Sequence, residues 1–369
     1  MLTKKICLFT VAIFIVLLCA NCVSATTYNI NNSTDSDTIS KMISGELPIK
    51  NGKFIKNGDI IKFKEGNYQN LKLTIKKRIK LTTNKKEINK VKFIGKGNGV
   101  FINIKAKNVK IYGLNIKNYD LAIKAKTNNS YFNKITFYKN GIKISGNKNK
   151  IYKNNFTLSD IDTQGKNNTI YSNKIKKSNI KTGGHRTIIY KNTITNSYTT
   201  TKGSKNLIIS NKLYKTYITT QGKLNKIYKN KITKGNINAG GHGTTINKNN
   251  LMHSYITTNG NKNLIISNKL YKGFISIQGK LNKVYKNQIY KNDITSIGIY
   301  GSHNTIYKNT ISQAQNGIDI NGNKNIITKN KIIKCIYGII YQEKNTIFKN
   351  NIFKKNKKNI LYNPIVYPE

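Results

Sequence analysis

Asp160 and Asp162 flank Ile161, so on an extended strand both carboxylates leave the same face. Two carboxyl groups side by side could divide acid and base work, one holding a proton and the other taking one. They have little company, because the chain carries 13 acidic residues against 65 basic ones. Asp120 stands well before the pair, and Asp293, Asp319 and Glu343 stand far after it. Arg78 and Arg186 are the only arginines and neither neighbours the pair. Two exposed carboxylates on a lysine-rich surface more often keep a protein soluble than catalyse. The four histidines, His185, His242, His253 and His303, are dispersed, and no spacing suits a metal site. No cofactor and no metal is expected.

A second set of residues is far more regular. Tyr152, Tyr171, Tyr190, Tyr228, Tyr285, Tyr307 and Phe348 each stand two places before a recurring asparagine. One place later come Lys153, Lys191, Lys229, Lys248, Lys286, Lys308, Lys329 and Lys349, with serine in the remaining repeats. Aromatic faces can stack on sugar rings or bases, and ammonium groups can pair with carboxylate or phosphate. The binding candidates are therefore Tyr152, Lys153, Tyr171, Tyr190, Lys191, Tyr228, Lys229, Tyr285, Lys286, Tyr307 and Lys308. The bland alternative is that tyrosine ladders favour strand pairing and that Lys, Asn and Ile follow a biased genome.

The element that must position these residues is a repeat. From Asn147 to Gly279 the wording returns every 19 residues, and the marker asparagine returns at 154, 173, 192, 211, 230, 249, 268 and 287, then at Asn309, Asn330 and Asn350. Residues 205–232 return nearly word for word at 262–289, three repeats later. A unit so short cannot bury an apolar face alone and must stack on its neighbours. Aliphatic residues recur three before, two after and seven after each marker, as in Ile170, Ile175 and Ile180. Polar residues alternate between them, which predicts three short strands per coil and parallel pairing about 4.8 Å apart between coils. Asn149, Asn168 and their equivalents, five before the marker, suit a tight left-handed corner and can bond to one another along the stack. Glycine at 146, 165, 184 and onward suits the other corner by accepting positive φ.

The ends differ. Residues 1–25 read as a secretory leader: Lys4 and Lys5, an apolar run from Ile6 to Leu18, then Val23, Ser24 and Ala25 as a small-residue cleavage site. Three of the four cysteines lie there, leaving Cys335 alone in the exported chain. Residues 26–54 form an N-terminal segment in which Asp35 or Asp37 can cap a short amphipathic helix carrying Ile39, Met42 and Ile43 over the first coil. The coils are expected from residue 55 to 355 and a covering tail over 356–369. The fold class is all-β, a solenoid of about 14 coils with a short helical N-terminal cap.

The phrase NGDIIKFKEGNYQNLKLTIKKRIKLT resembles the opening of right-handed parallel β-helix proteins of the pectate-lyase-like superfamily. The N-x-I-x-x-N-x-I units are similar to the repeat of the periplasmic copper-associated β-helix protein of nitrous-oxide reductase maturation. With the leader and the Lys/Asn/Ile bias, the chain looks most like the adhesin-like surface proteins of methanogenic archaea. The resemblance covers roughly residues 55–355 and implies a right-handed single-stranded parallel β-helix. It also implies a rival activity, polysaccharide lyase or glycoside hydrolase, with Asp160 and Asp162 in the site; hydrolysis needs two carboxyls about 5–9.5 Å apart. Copper is unsupported by three methionines and one exported cysteine.

The formal net charge is +52, or +50 once Lys4 and Lys5 leave with the leader. Along a rod of 14 coils that is near 0.8 charges per Å, comparable with the roughly 0.6 per Å of duplex DNA. Such a rod is held against anionic walls or membranes by charge alone. The expectation is a secreted or cell-surface, non-catalytic, adhesin-like protein. Its partner would be an anionic wall or extracellular polysaccharide or another polyanion, without specific nucleic-acid recognition.

Overall fold

Around Asn173, strands Thr169–Tyr171, Lys174–Lys176 and Ile180–Thr182 make one turn of the chain. Each pairs in parallel with the same strand 19 residues on: Ile170 lies over Ile189, Ile175 over Ile194. Period-two alternation aims Ile170, Ile175 and Ile180 inward, and all three are buried. Burying such a side chain contributes about 1.5–3 kcal/mol, but only when the coils above and below cover it. The computed structural model, which describes residues 25–343 and 345–363, is therefore an all-β parallel solenoid. Ile175, Ile194 and Leu213 form one continuous inner column, as expected.

One sheet takes a single strand from each turn and holds sixteen strands, so the solenoid has about 16 turns rather than 14. The sequence count fell short because the first rungs lack the repeat wording. Strand Thr27–Ile30 already pairs with Ile60–Phe63, and the helix Ser36–Ser44 follows that strand in the chain. Of the two candidate caps, Asp35 accepts from the Thr38 amide at 2.8 Å, while Asp37 pairs with Lys41 at 2.7 Å. Ile39 and Ile43 are buried, and Ser36 and Ser40 donate to the carbonyls of Gln69 and Lys72. The leader, apart from Ala25, and the last residues of the tail lie outside the described residues. No described helix is long and apolar enough to cross a membrane.

The corners depart from expectation. Both asparagine series, as far as Asn330 and Asn325, are buried inside the corners rather than forming them. The left-handed residues are the ones just before: Lys148, Asn167, Arg186 and Lys205 in one series, and Lys153, Ser172, Lys191 and Ser210 in the second. A third series includes Lys177, Lys215, Lys234 and Lys272 (φ 46 to 61 throughout). A left-handed L-residue costs roughly 1–2 kcal/mol, offset here by the buried amide that follows. Asn192 donates its backbone N–H and Nδ2 to Asn211 Oδ1, both at 3.0 Å, and Asn211 repeats this onto Asn230. Each Nδ2 also donates to a carbonyl of the previous coil, as Asn211 does to Ile189 at 2.9 Å. The ladder runs through Asn309 and Asn330 to Asn351. The sequence count that ended on Asn350 was thus one residue early: Asn350 is a left-handed corner, and Phe348 pairs with Ile327 in an inward column.

Glycine serves a purpose other than the expected one. Among the repeating series only Gly146 and Gly165 have positive φ (137° and 102°). A Cβ on Gly203, Gly222, Gly241 or Gly260 would stand 2.0 to 2.3 Å from the carbonyl oxygen of the glycine one coil earlier. The requirement is close approach of backbones. The interior is also less purely aliphatic than expected, with Thr163, Thr182, Thr201 and Thr220 forming a buried column.

Candidate functional site

On the sixteen-stranded sheet, strands such as Lys150–Tyr152 and Ile188–Tyr190 bury their central isoleucine and send the residues on either side outward. Exact register then places tyrosine over tyrosine. The rings of Tyr152 and Tyr171 stack with centroids 4.7 Å apart and planes within 1°, and those of Tyr171 and Tyr190 at 4.8 Å and 7°. Tyr285 and Tyr307 form a second stack at 4.6 Å. Partial burial raises the pKa of Tyr171 and Tyr307, reinforced by the neighbouring phenols, so these rings stay uncharged. Tyr228 stands alone, with Lys229 Nζ 5.1 Å from its ring centre. Ile209, Asn247 and Ile266 occupy the same column in the intervening coils, so the stripe is two stacks and a single ring rather than one track.

The lysines of the stripe, Lys153, Lys191, Lys229, Lys286 and Lys308, are exposed corner residues with φ between 53 and 56°. The left-handed backbone turns their side chains away from the core beside the rings. Lys286 and Lys308 are on adjacent coils, whereas Ser172 separates Lys153 from Lys191.

The acidic pair is placed side by side, but both carboxylates are engaged. Asp160 Oδ1 accepts from the Asn179 amide at 2.8 Å, and its Oδ2 lies 3.3 Å from Lys181 Nζ. Asp162 accepts from Gln164 Nε2 at 2.8 Å and lies in register between Lys143 and Lys181. The contacts of Asp160 tie one coil to the next, and that of Asp162 stays within its own strand. Among the described residues no three His, Cys, Asp or Glu side chains gather as a metal site requires. Burial pushes up the pKa of the Cys335 thiol, which disfavours the thiolate a copper ligand needs.

Two features escaped the sequence reading. Counting by 19 puts Asp293 in the column of Asp160, but its coil carries 22 residues from Asn287 to Asn309. Ile275 pairs with Ile297, so Ser296 takes that column and Asp293 is lifted onto a bulge. Asp319, in register with Gly298, is half-buried, and burial raises its pKa against the opposing Ile320 backbone hydrogen bond. The folded state then holds this proton to higher pH than the unfolded chain does. Asp319 accordingly weakens the fold as pH rises through its folded pKa, and not below the unfolded value. Asp319→Asn should raise the melting temperature at about pH 7 and leave it unchanged at about pH 3; equal shifts at both would contradict this origin.

The second missed feature is an aromatic column on another face. Tyr198 stacks on Tyr217 at 5.2 Å, and Tyr255 on Phe274 at 4.8 Å. Its signal was present in the sequence, since 198, 217, 255 and 274 all fit the 19-residue period.

Residues 242–366, about a third of the chain, match the family described as periplasmic copper-binding protein (NosD). No curated protein matches the chain. Similar solved structures include the PL6 family alginate lyase AlyGC, 8% identical with a TM-score of 0.35, over 89% of this chain and 80% of that one. Another is the Azotobacter vinelandii mannuronan C-5 epimerase AlgE4 A-module, 11% identical with a TM-score of 0.25, over 90% and 98%. A third is the catalytic domain of a GH87 alpha-1,3-glucanase, 14% identical with a TM-score of 0.37, over 82% and 66%. The chain is an all-β parallel solenoid whose residues 242–366 are similar to the NosD family.

Proposed function

We propose that this chain is an exported, non-catalytic, adhesin-like protein of the cell envelope that holds acidic polysaccharide along its Tyr/Lys face. The observation that carries the reading is the Tyr152–Tyr171–Tyr190 stack bordered by Lys153 and Lys191. The periplasmic description of the matched family supports an envelope location. With this reading go a right-handed winding, a leader cleaved after Ala25, closure of the N-terminal end by helix Ser36–Ser44, and kinship with methanogen surface proteins.

Alginate, named for one of the similar structures, is the natural probe. Binding should show two separable parts. Replacing Lys153, Lys191, Lys229 and Lys286 by serine should flatten the dependence of affinity on salt, because fewer counterions are released. Replacing Tyr152, Tyr171 and Tyr190 by serine should weaken the binding that survives high salt. Lys148, Lys205, Lys262 and Lys324, on another edge, are the control set. Equal loss from both lysine sets, with no effect of the tyrosines, would leave only a nonspecific cationic rod.

A second reading, polysaccharide lyase or glycoside hydrolase with Asp160 and Asp162 in the site, has a carboxyl pair on neighbouring outward positions, although both carboxylates are engaged. The similar structures bear the names of such enzymes. Incubation with alginate, polygalacturonate and neutral glucans separates the readings: new unsaturated or reducing ends, lost in the Asp160/Asp162 double variant, would replace the first with the second.

A further inference from the structure

The face that carries Tyr198, Tyr217, Tyr255 and Phe274 is chemically unlike the rest of the molecule. From Tyr198 to Gln278 its outward positions are aromatic, hydroxyl, amide or glycine, with Lys202 the one charged residue among them. This occurs in a chain of net charge +52. The rings are exposed, Tyr198 by 57% and Phe274 by 36%. Asn236 fills the one coil without a ring, so the column is two stacked pairs with a gap between them.

The long coil closes one end of this column. Its bulge at Asn292–Thr295 stands beside Phe274 and encloses a cleft of about 470 Å³. Tyr255, Phe274 and Lys272 line it together with Asp293 and Ile294 of the bulge and with Tyr300. Tyr300 lies across Gly298, where an added Cβ would be 3.1 Å from the ring. The bulge is braced: Asn292 Nδ2 donates to the Thr295 carbonyl at 2.6 Å, and Asn316 Nδ2 donates to Thr295 Oγ1 at 3.2 Å from the next coil. A wall fixed in advance costs less order on binding. Asp293 forms none of the ion pairs among the described residues.

We infer that this cleft binds the end of an uncharged glycan, whose chain runs back along the Tyr/Phe column. The apolar face of a pyranose ring covers Phe274 and Tyr255, as aromatic faces accept C–H groups. The Asp293 carboxylate accepts hydrogen bonds from two adjacent hydroxyls, an acceptor-only role that a vicinal diol satisfies and the carboxylate group of an acidic sugar does not. The same carboxylate offsets the charge of Lys272 in the cleft lining, so acidic sugars gain no net attraction here, unlike on the Tyr/Lys face. It is a binding site, with no bond made or broken.

The test is calorimetric titration of the whole exported protein with cellohexaose, mannohexaose and xylohexaose, and with hexaguluronate as the acidic probe, at about 0.5 M salt, where surface charge is screened. At least one neutral hexamer should bind, and hexaguluronate should not compete for it. Phe274→Ala should lower that affinity about tenfold or more, and Phe274→Tyr should retain it. Asp293→Asn, on the exposed bulge, should lower it with an unchanged melting temperature, which keeps the test decisive should Phe274→Ala unfold. The Tyr152/Tyr171/Tyr190 variant should bind neutral hexamers normally, so failure here and failure of the acidic-polymer reading are read separately. Absence of binding by all three neutral hexamers, binding indifferent to both Asp293→Asn and Phe274→Ala, or displacement by hexaguluronate overturns the inference.

Discussion

Gly241→Ala should destabilise the solenoid by about 3 kcal/mol or more, whereas Gly240→Ala beside it should stay within about 0.5 kcal/mol. The two residues are neighbours in sequence and neither has positive φ, so backbone freedom cannot separate them. Their surroundings do. A Cβ on Gly241 would stand 2.1 Å from the Gly222 oxygen, and that oxygen belongs to a backbone held in the stack on both sides. A Cβ on Gly240 would meet nothing closer than the Thr220 oxygen at 3.5 Å. Urea unfolding of the two variants measures the difference. Equal effects would mean that the coils can spread at this corner, and the glycine column would lose its explanation.

Asn211→Leu should be about as damaging, costing on the order of 3–5 kcal/mol, because several buried groups lose partners at once. The Asn192 backbone N–H and Nδ2 both donate to Asn211 Oδ1, and the Ile189 carbonyl accepts from Asn211 Nδ2. Each buried group left unpaired costs roughly 1–3 kcal/mol. Asn167→Ala is the matching control: this asparagine is an exposed corner residue with φ 61°, and its loss should cost about 1 kcal/mol or less. Similar, small destabilisation by both would show that the buried amide of Asn211 contributes no more than an exposed corner residue. A midpoint shift confined to Asn211→Leu establishes the buried amide as the clamp.

The contrast between Asn211 and Asn167 also marks the limit of what the sequence disclosed. The 19-residue period, the parallel stacking and the inward columns of Ile170, Ile175 and Ile180 were legible because apolar residues at alternate positions admit one phase. The polar residues admit two. An asparagine at a corner fits an outward left-handed turn and a buried amide ladder equally well in one dimension, and only the register of neighbouring coils decides. The same uncertainty, added to unequal coil lengths, put Asp293 on the wrong column and ended the ladder at Asn350 instead of Asn351. The tyrosine column was located correctly, since Tyr152, Tyr171 and Tyr190 are consecutive. Its interruptions at Ile209 and Asn247 were readable but passed over. The second aromatic face is harder to read in one dimension, because its rings stand six residues after the marker asparagine and the column is broken at Asn236.

The lysines at the left-handed corners fall into three separate series, represented by Lys148, Lys153 and Lys177, each continued many coils along the rod. A polyanion lying on one of these edges leaves the other two ready for further strands. Each molecule is thereby a junction of valence greater than two, with arms fixed at different angles about one axis. Rods that repel one another in dilute salt would then be drawn into a shared meshwork once a long acidic polymer is present, and dispersed again when the polymer is cut short. On the proposed reading, binding would set a sol of rods and polymer into a gel, with chain length of the polymer as the control variable.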